Sequence, residues 1–346
     1  MNRSRERIAQ LLELARSHGA DGALVTHPPN LFWLLGFSGS AGTAVLLPGE
    51  CKLIVDGRYG EQARQETTDC EIAVEERAFN AALARHLPPK ARLAVEADHL
   101  TWGEYLRLRE WHAEGELLPA SGWIEELRMV KCPEEIELLE TAFRNTLRVA
   151  EEFQACLGTP ASEKELAGHL EFLCRRYGSE GPSFPTIVAS EAHSALPHAA
   201  PRDEIVAPGR LVLVDFGMRY RRYCSDLTRV FPGDRDEATE IVRIVREAHD
   251  AAIAAIKPGA PAEAIDRAAR AVIEAAGYGE HFLHSTGHGV GLEIHEAPRL
   301  GRGVQTALRP GMVVTVEPGI YLPGRFGVRI EDMILVTETG ARVLAS

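Results

Sequence analysis

Two stretches of this sequence repeat one demanding design. RLVLVDFGMRYRRYCSDLTRVF (210–231) and GMVVTVEPGIYLPGRFGVRIEDMILV (311–336) each read as strand, tight turn and strand. Their apolar runs call for burial. Each nevertheless carries one acid on either side of its turn: Asp215 and Asp226 in the first, Glu317 and Glu331 in the second. A fold about Tyr220 and Arg221 sets Asp215 opposite Asp226. A fold about Pro323-Gly324 sets Glu317 opposite Glu331. Residues opposite one another on an antiparallel ladder point to the same face, and like charges so placed repel. A buried carboxylate also needs a partner. Even for one such pair the surrounding apolar runs favour burial over solvated surface. Two pairs in apolar hairpins require a cation between them.

HFLHSTGHGVGLEIH (281–295) holds four histidines that such a cation could use. His284 and His288 are four apart, a spacing that stacks them on one face of a helix, as in HExxH zinc sites. Gly287, Gly289 and Gly291 argue against a helix there, since each costs roughly 1 kcal/mol relative to alanine. Alternating glycines suit a strand or loop whose backbone packs close to something. The ligating histidine must then find its partners elsewhere in the chain, and the pattern leaves open which histidine it is. Four acids and one imidazole would balance two divalent cations. The donor set suits Mn2+, Co2+, Fe2+ or Zn2+ rather than a soft ion. Paired cations of this kind serve hydrolysis.

The rest of the chain reads as two domains. Up to about residue 125, helix and strand alternate: the amphipathic ERIAQLLELARSHG, then the short apolar runs DGALVTH, GTAVLLPG, CKLIVDG and ARLAVEA. From 126 to 346 come a long helix opened by Pro133 and closed at Gly158, and a helix begun by the capping box Ser162–Glu165. Two more helices, near 236–256 and 261–276, lie among the strands. A 346-residue chain with a net charge of −12 is a poor match for nucleic acid or an anionic membrane surface. No apolar run approaches a membrane span. The N-terminal helix lacks the continuous apolar core of a signal peptide. The six cysteines form no CxxC pair, so neither a disulfide framework nor a thiolate zinc site is expected, and a reducing cytoplasm is the simplest location.

VDFG with Asp215, SDLTRVF with Asp226, TGHGVGLEIHE with His288 and His295, VEPG with Glu317 and RIED with Glu331 resemble the pita-bread metallopeptidases. That family includes methionine aminopeptidases, Xaa-Pro aminopeptidases, prolidases and the metal-free creatinase. The resemblance runs from about 130 to the end and implies an α+β fold. A creatinase-like α/β domain (1–125) would precede a catalytic domain (126–346) of two pseudo-symmetric halves on a curved antiparallel sheet. It also implies the metal ligands: Asp215, Asp226, His288, Glu317 and Glu331, holding two divalent ions, with Mn2+ the first choice. His284 and His295 would line the site.

The first domain, the intact acid set, RMVKCPEEIELL, GFSGSAGTAVLL and SALPH with His198 all look like the proline-peptidase branch. That resemblance implies hydrolysis of the bond between an N-terminal residue and proline. Glu317 would shuttle the proton, His198 and His295 would donate to substrate carbonyls, and Arg329 would steady the cluster or a substrate carboxylate. Arg299 in HEAPRL is the candidate clamp for a dipeptide's C-terminus. Arg58 and Tyr59 either reach the mouth of the site or lie on the surface, and the surface reading is favoured. The motifs of the first domain lean toward an Xaa-Pro aminopeptidase. The alternative is an Xaa-Pro dipeptidase (prolidase) confined to dipeptides, and a catalytically inactive binding module ranks below both. Expected partners are proline peptides with a free N-terminus and a second copy of the chain in a homodimer.

Overall fold

The computed structural model describes residues 3–77 and 79–345. They form two compact units that divide between Arg128 and Met129.

The first unit opens with the helix Arg3–Ser17 and is built on a six-stranded mixed sheet. In spatial order the strands are Glu71–Glu75, Glu50–Asp56, Thr43–Leu47, Gly22–Val25, Arg92–Glu96 and Glu116–Ala120. The four apolar runs of the sequence supply its central strands. Leu24, Val45, Ile54, Leu93 and Val95 fill one core. A helix passed over in the sequence, Pro28–Leu35, starts on paired prolines and stops at Gly36 in the left-handed region (φ 78°). One expectation is corrected here. Cys51 and Cys70 form a disulfide at the edge of this sheet, which removes the cysteine argument for a reducing compartment. Lys52 pairs with Glu71 in parallel register, so the two preceding residues fall side by side. Sequence spacing alone does not reveal such a neighbourhood.

The second unit repeats one plan. Each half is a pair of helices followed by a hairpin. Pro133–Gln154 and Glu163–Arg176 precede the hairpin of Val212–Phe216 with Leu227–Phe231. Asp236–Ala255 and Ala262–Ala275 precede that of Val313–Val316 with Asp332–Val336. The helices are amphipathic. In Asp236–Ala255, Ala238, Ile241, Val245, Ala248 and Ala252 make a buried stripe at helical spacing. They pack with Ile265, Ala269 and Ile273 against Val314, Val316 and Ile334 of the second hairpin. The sheets of this unit are antiparallel, so the chain is α+β. Among the described residues no helix is long and apolar enough to cross a membrane.

Candidate metal centre

Both acid-bearing hairpins have a broken ladder beside their acids. In the second, the pairs Val316–Asp332 and Gly319–Arg329 flank the break and set Glu317 opposite Glu331. In the first, the bend falls on Arg221 and Arg222 rather than on Tyr220 and Arg221. Asp215 therefore faces Thr228, and Asp226 comes opposite Gly217. This corrects the expected register by two positions. A two-residue shift keeps side chains on the same face, so the acids still converge.

The hairpins are tied to each other at this point. The hydroxyl of Thr228 donates to Glu331 Oε2 at 2.7 Å, and Arg329 Nε donates to Thr228 Oγ1 at 3.0 Å. Arg229 spans the seam from Asp332 Oδ1 (2.7 Å) to the carbonyl of Glu331 (2.6 Å). Arg329 Nη2 meets Asp215 Oδ2 at 2.5 Å, and its Nη1 donates to Tyr321 Oη at 2.6 Å.

His288 lies on the short strand Gly287–Gly289, and the alternating glycines explain how the strand gets there. A Cβ on Gly287 would sit 2.0 Å from the Thr315 carbonyl oxygen, and one on Gly289 would sit 2.2 Å from that of Ala297. Only glycine lets neighbouring backbone approach so closely. His288 Nδ1 is 2.9 Å from the Gly289 carbonyl and so carries the proton. The lone pair of Nε2 then points at Glu317 Oε1 (3.4 Å) and Asp226 Oδ2 (3.6 Å). Ligand atoms of Asp226, His288 and Glu331 all lie within 4.8 Å of one another.

The electrostatics call for a counter-charge. Burial, then repulsion from Glu331, Asp215 and Glu317, pushes the Asp226 carboxyl well above the usual range. Glu331 is raised by burial and by Glu317 and Asp215. Burial lifts Glu317 to about 8 in spite of the nearby Arg329 charge, and it pulls His288 down to about 4. Asp215 Oδ1 and Glu331 Oε1 are buried without a hydrogen-bond partner. Carboxylate oxygens and a neutral imidazole nitrogen, aimed at one small volume, fit a hard or borderline divalent cation.

The other sequence-chosen residues surround this cluster. The ring of His295 stands edge-on to His288 at 4.5 Å between centroids, and its residue is exposed. His284 Nδ1 faces the Ser285 carbonyl at 2.8 Å, and its Nε2 accepts from the Tyr321 hydroxyl at 2.8 Å. Burial, aided by the Arg329 charge, lowers His284 to about 4 and keeps it neutral. His198 is exposed, close enough for its charge to act on His284. Arg299 is not part of the acid cluster. It lines a cavity of about 930 Å3 together with His284, Arg270 and Arg302. Sequence reasoning missed Thr228, Arg229 and Tyr321. A signal for Tyr321 was present: Gly319 pairs with Arg329, so Tyr321 is its diagonal neighbour on the same face.

Helix-pair-and-hairpin halves that meet in buried acids and one imidazole, following an α/β first unit in the sequence, define a metal-dependent peptidase. The chain belongs to metallopeptidase family M24. Residues 137–338 match that family, and residues 7–130 match the creatinase/prolidase N-terminal domain. It is similar to an Xaa-Pro dipeptidase of Pyrococcus horikoshii, at 36% identity over 98% of this chain and 96% of the relative. Among solved structures it resembles an Xaa-Pro dipeptidase from Bacillus anthracis (TM-score 0.94, 38% identity, 99% and 98% of the two chains). It also resembles an X-Pro aminopeptidase from Thermotoga maritima (TM-score 0.87, 35% identity, 96% and 97%).

Proposed function

We propose that this chain is an Xaa-Pro dipeptidase that hydrolyses the single bond of dipeptides ending in proline. The observation that carries this reading is the cavity shared by His284 and Arg299. His284, which lines the cavity, is hydrogen-bonded through Tyr321 and Arg329 to Asp215, a chain of contacts from the cavity wall to the acid cluster. The Arg299 side chain makes no hydrogen bond or ion pair among the described residues, and its guanidinium is free to take a C-terminal carboxylate bidentately. The 36% and 38% identical relatives are both Xaa-Pro dipeptidases by name, which favours this alternative over the aminopeptidase.

Asp215, Asp226, His288, Glu317 and Glu331 would hold two divalent cations, for which Mn2+ is the first choice given oxygen-rich ligation. When bound, such cations supply Lewis acidity and lower the pKa of water. Like any amide nitrogen, proline's must receive a proton to leave as an amine. Glu317 takes that proton from the attacking water and passes it to the nitrogen as the C–N bond breaks. His198 and His295 donate to the carbonyl oxygen on which charge develops. Arg329 holds one oxygen of Asp215, leaving Oδ1 for a cation. The working unit is taken to be a homodimer, which light scattering would check.

An Xaa-Pro aminopeptidase is the second reading, favoured by the likeness to the Thermotoga maritima structure and by GFSGSAGTAVLL. Metal-stripped protein reloaded with Mn2+, with a chelator control, separates the two on Ala-Pro and Ala-Pro-Ala. Cleavage of the dipeptide alone supports the proposal. Efficient tripeptide cleavage gives the aminopeptidase, and cleavage of neither removes the proline assignment.

A further inference from the structure

Glu163 opens the helix Glu163–Arg176, and its side chain is wholly excluded from solvent. A buried carboxylate is costly unless both oxygens are hydrogen-bonded, and here they are. Oε1 accepts from the backbone N–H of Ser190 at 2.9 Å and from its hydroxyl at 3.0 Å. Oε2 accepts from the backbone N–H of Arg202 at 3.0 Å. His193 Nδ1 lies 2.9 Å from Oε2 and 3.1 Å from Oε1.

None of these groups belongs to the acid cluster. What joins them is the chain: it leaves Ser190, turns through His193, presents His198 and returns at Arg202. One carboxylate thus grips both ends and one side of a compact loop. The loop's other side is seated on the metal hairpin. Gly327 N–H donates to Ser194 Oγ at 2.8 Å, and Arg329 Nη1 donates to the Pro197 carbonyl at 3.3 Å. A Cβ on Gly327 would lie 2.1 Å from the Ser194 carbonyl oxygen, so the two backbones approach as closely as glycine permits. His198 itself is exposed.

We propose that Glu163 is a positioning residue: it fixes the loop Ser190–Arg202 so that His198 meets the substrate carbonyl. The proposal rests on the reading of His198 given above. Its test is a cycle of Glu163→Gln, His198→Ala and the double variant, with kcat and KM measured on Ala-Pro and amide exchange followed at Ser190 and Arg202. The glutamine substitution keeps the size but turns an acceptor into a donor, so one grip on the loop is lost. The expected result is a kcat lowered at least about tenfold, as for a displaced catalytic contact, with KM little changed and both amides deprotected. In the His198→Ala background the Glu163 change should have no further effect on kcat, the non-additivity expected of residues acting as one unit. Full multiplication of the two losses, or unchanged exchange at both amides, overturns the proposal. A His198→Ala variant with wild-type kcat is a different failure: it removes the role of His198 and leaves Glu163 nothing to position. If Glu163→Gln does not fold, His193→Ala enters the same cycle and is read by the same criteria.

Discussion

Arg329 and Asp215 touch at 2.5 Å with their side chains 4% and 12% exposed, so neither charge has water to fall back on. Removing one member of such a pair strands the other. Arg329→Met should cost the metal-free protein about 3–5 kcal/mol, the range for a broken buried pair, read as a lower urea midpoint. Arg329→Lys should recover only part of this, because one ammonium cannot reach Asp215, Tyr321, Thr228 and Pro197 together. Equal stability of Lys and Arg at this position would show that charge alone matters.

Asp226 tests the centre itself. Asp226→Ala should lose both cation retention after gel filtration and hydrolysis of Ala-Pro, while its fold is kept as judged by circular dichroism. A variant that stays fully active with cation bound would mean that Asp226 is no ligand.

The strand of His288 offers a test by size alone. Gly289→Ala would press a methyl group 2.2 Å from the Ala297 carbonyl oxygen. Overpacking of this kind costs about 1–3 kcal/mol or more, and shifting His288 should lower activity as well. Gly340→Ala, where nothing lies within 4 Å, is the control and should stay within about 0.5 kcal/mol. Matching melting temperatures for the two variants would contradict the close approach.

The Glu163 loop makes stability depend on pH. Burial alone would raise this carboxyl, but the Ser190 N–H, His193 and the Arg202 N–H outweigh it and hold it below its ordinary value. A group with a depressed folded-state pKa stabilises fully above its unfolded pKa, about 4.3 for glutamate. That contribution is lost as pH falls through the folded value. The melting temperature gap between wild type and Glu163→Gln should therefore be constant from neutral pH to about pH 5 and close below about pH 4. A gap that widens in acid would reverse the assigned sign. Among the described residues, His193 and Arg202 are the charged or titratable side chains that pair with it.

Thiol counting checks the first unit. Cys132, Cys156, Cys174 and Cys224 stand outside the disulfide, and burial pushes the thiols of Cys174 and Cys224 up to about 12. A native, unreduced sample should label at the half-buried Cys132 and Cys156 only. Denaturation should add Cys174 and Cys224, and reduction should add Cys51 and Cys70. Opening that bridge, which spans 19 residues of sequence, should cost about 3 kcal/mol. Six reactive thiols without reductant would mean that the bridge does not form in solution.

The two hairpins show where a sequence can be read and where it cannot. Pro323-Gly324 is an unambiguous bend, with Gly324 at φ 73°, so the register of Glu317 and Glu331 could be counted outward from it. The first hairpin has no glycine at its tip. Arg221 and Arg222 adopt φ 46° and 72° instead, the positive pair of a type I′ turn filled by residues that turn chemistry does not favour there, and the count came out two positions off. The convergence of acids survived because side-chain direction repeats every second residue. His288 was legible as a glycine-flanked strand residue, but its choice over His284 came from family resemblance. Thr228 and Arg229 stayed hidden because their partners lie on the other hairpin, and no local pattern reports how two ladders meet. Glu163 looked like an ordinary first-turn acid of a capped helix, and its partners come from a loop that folds back from Ser190 to Arg202.

The seam between the hairpins also sets a schedule for the molecule's synthesis. Asp215 and Asp226 leave the ribosome long before Glu317 and Glu331, with His288 in between. At about 5–20 residues per second the wait is on the order of ten seconds. Through that interval the first hairpin has neither Arg329 to hold Asp215 nor Glu331 to receive the Thr228 hydroxyl. A nascent chain is therefore silent as a peptidase until its last strands dock.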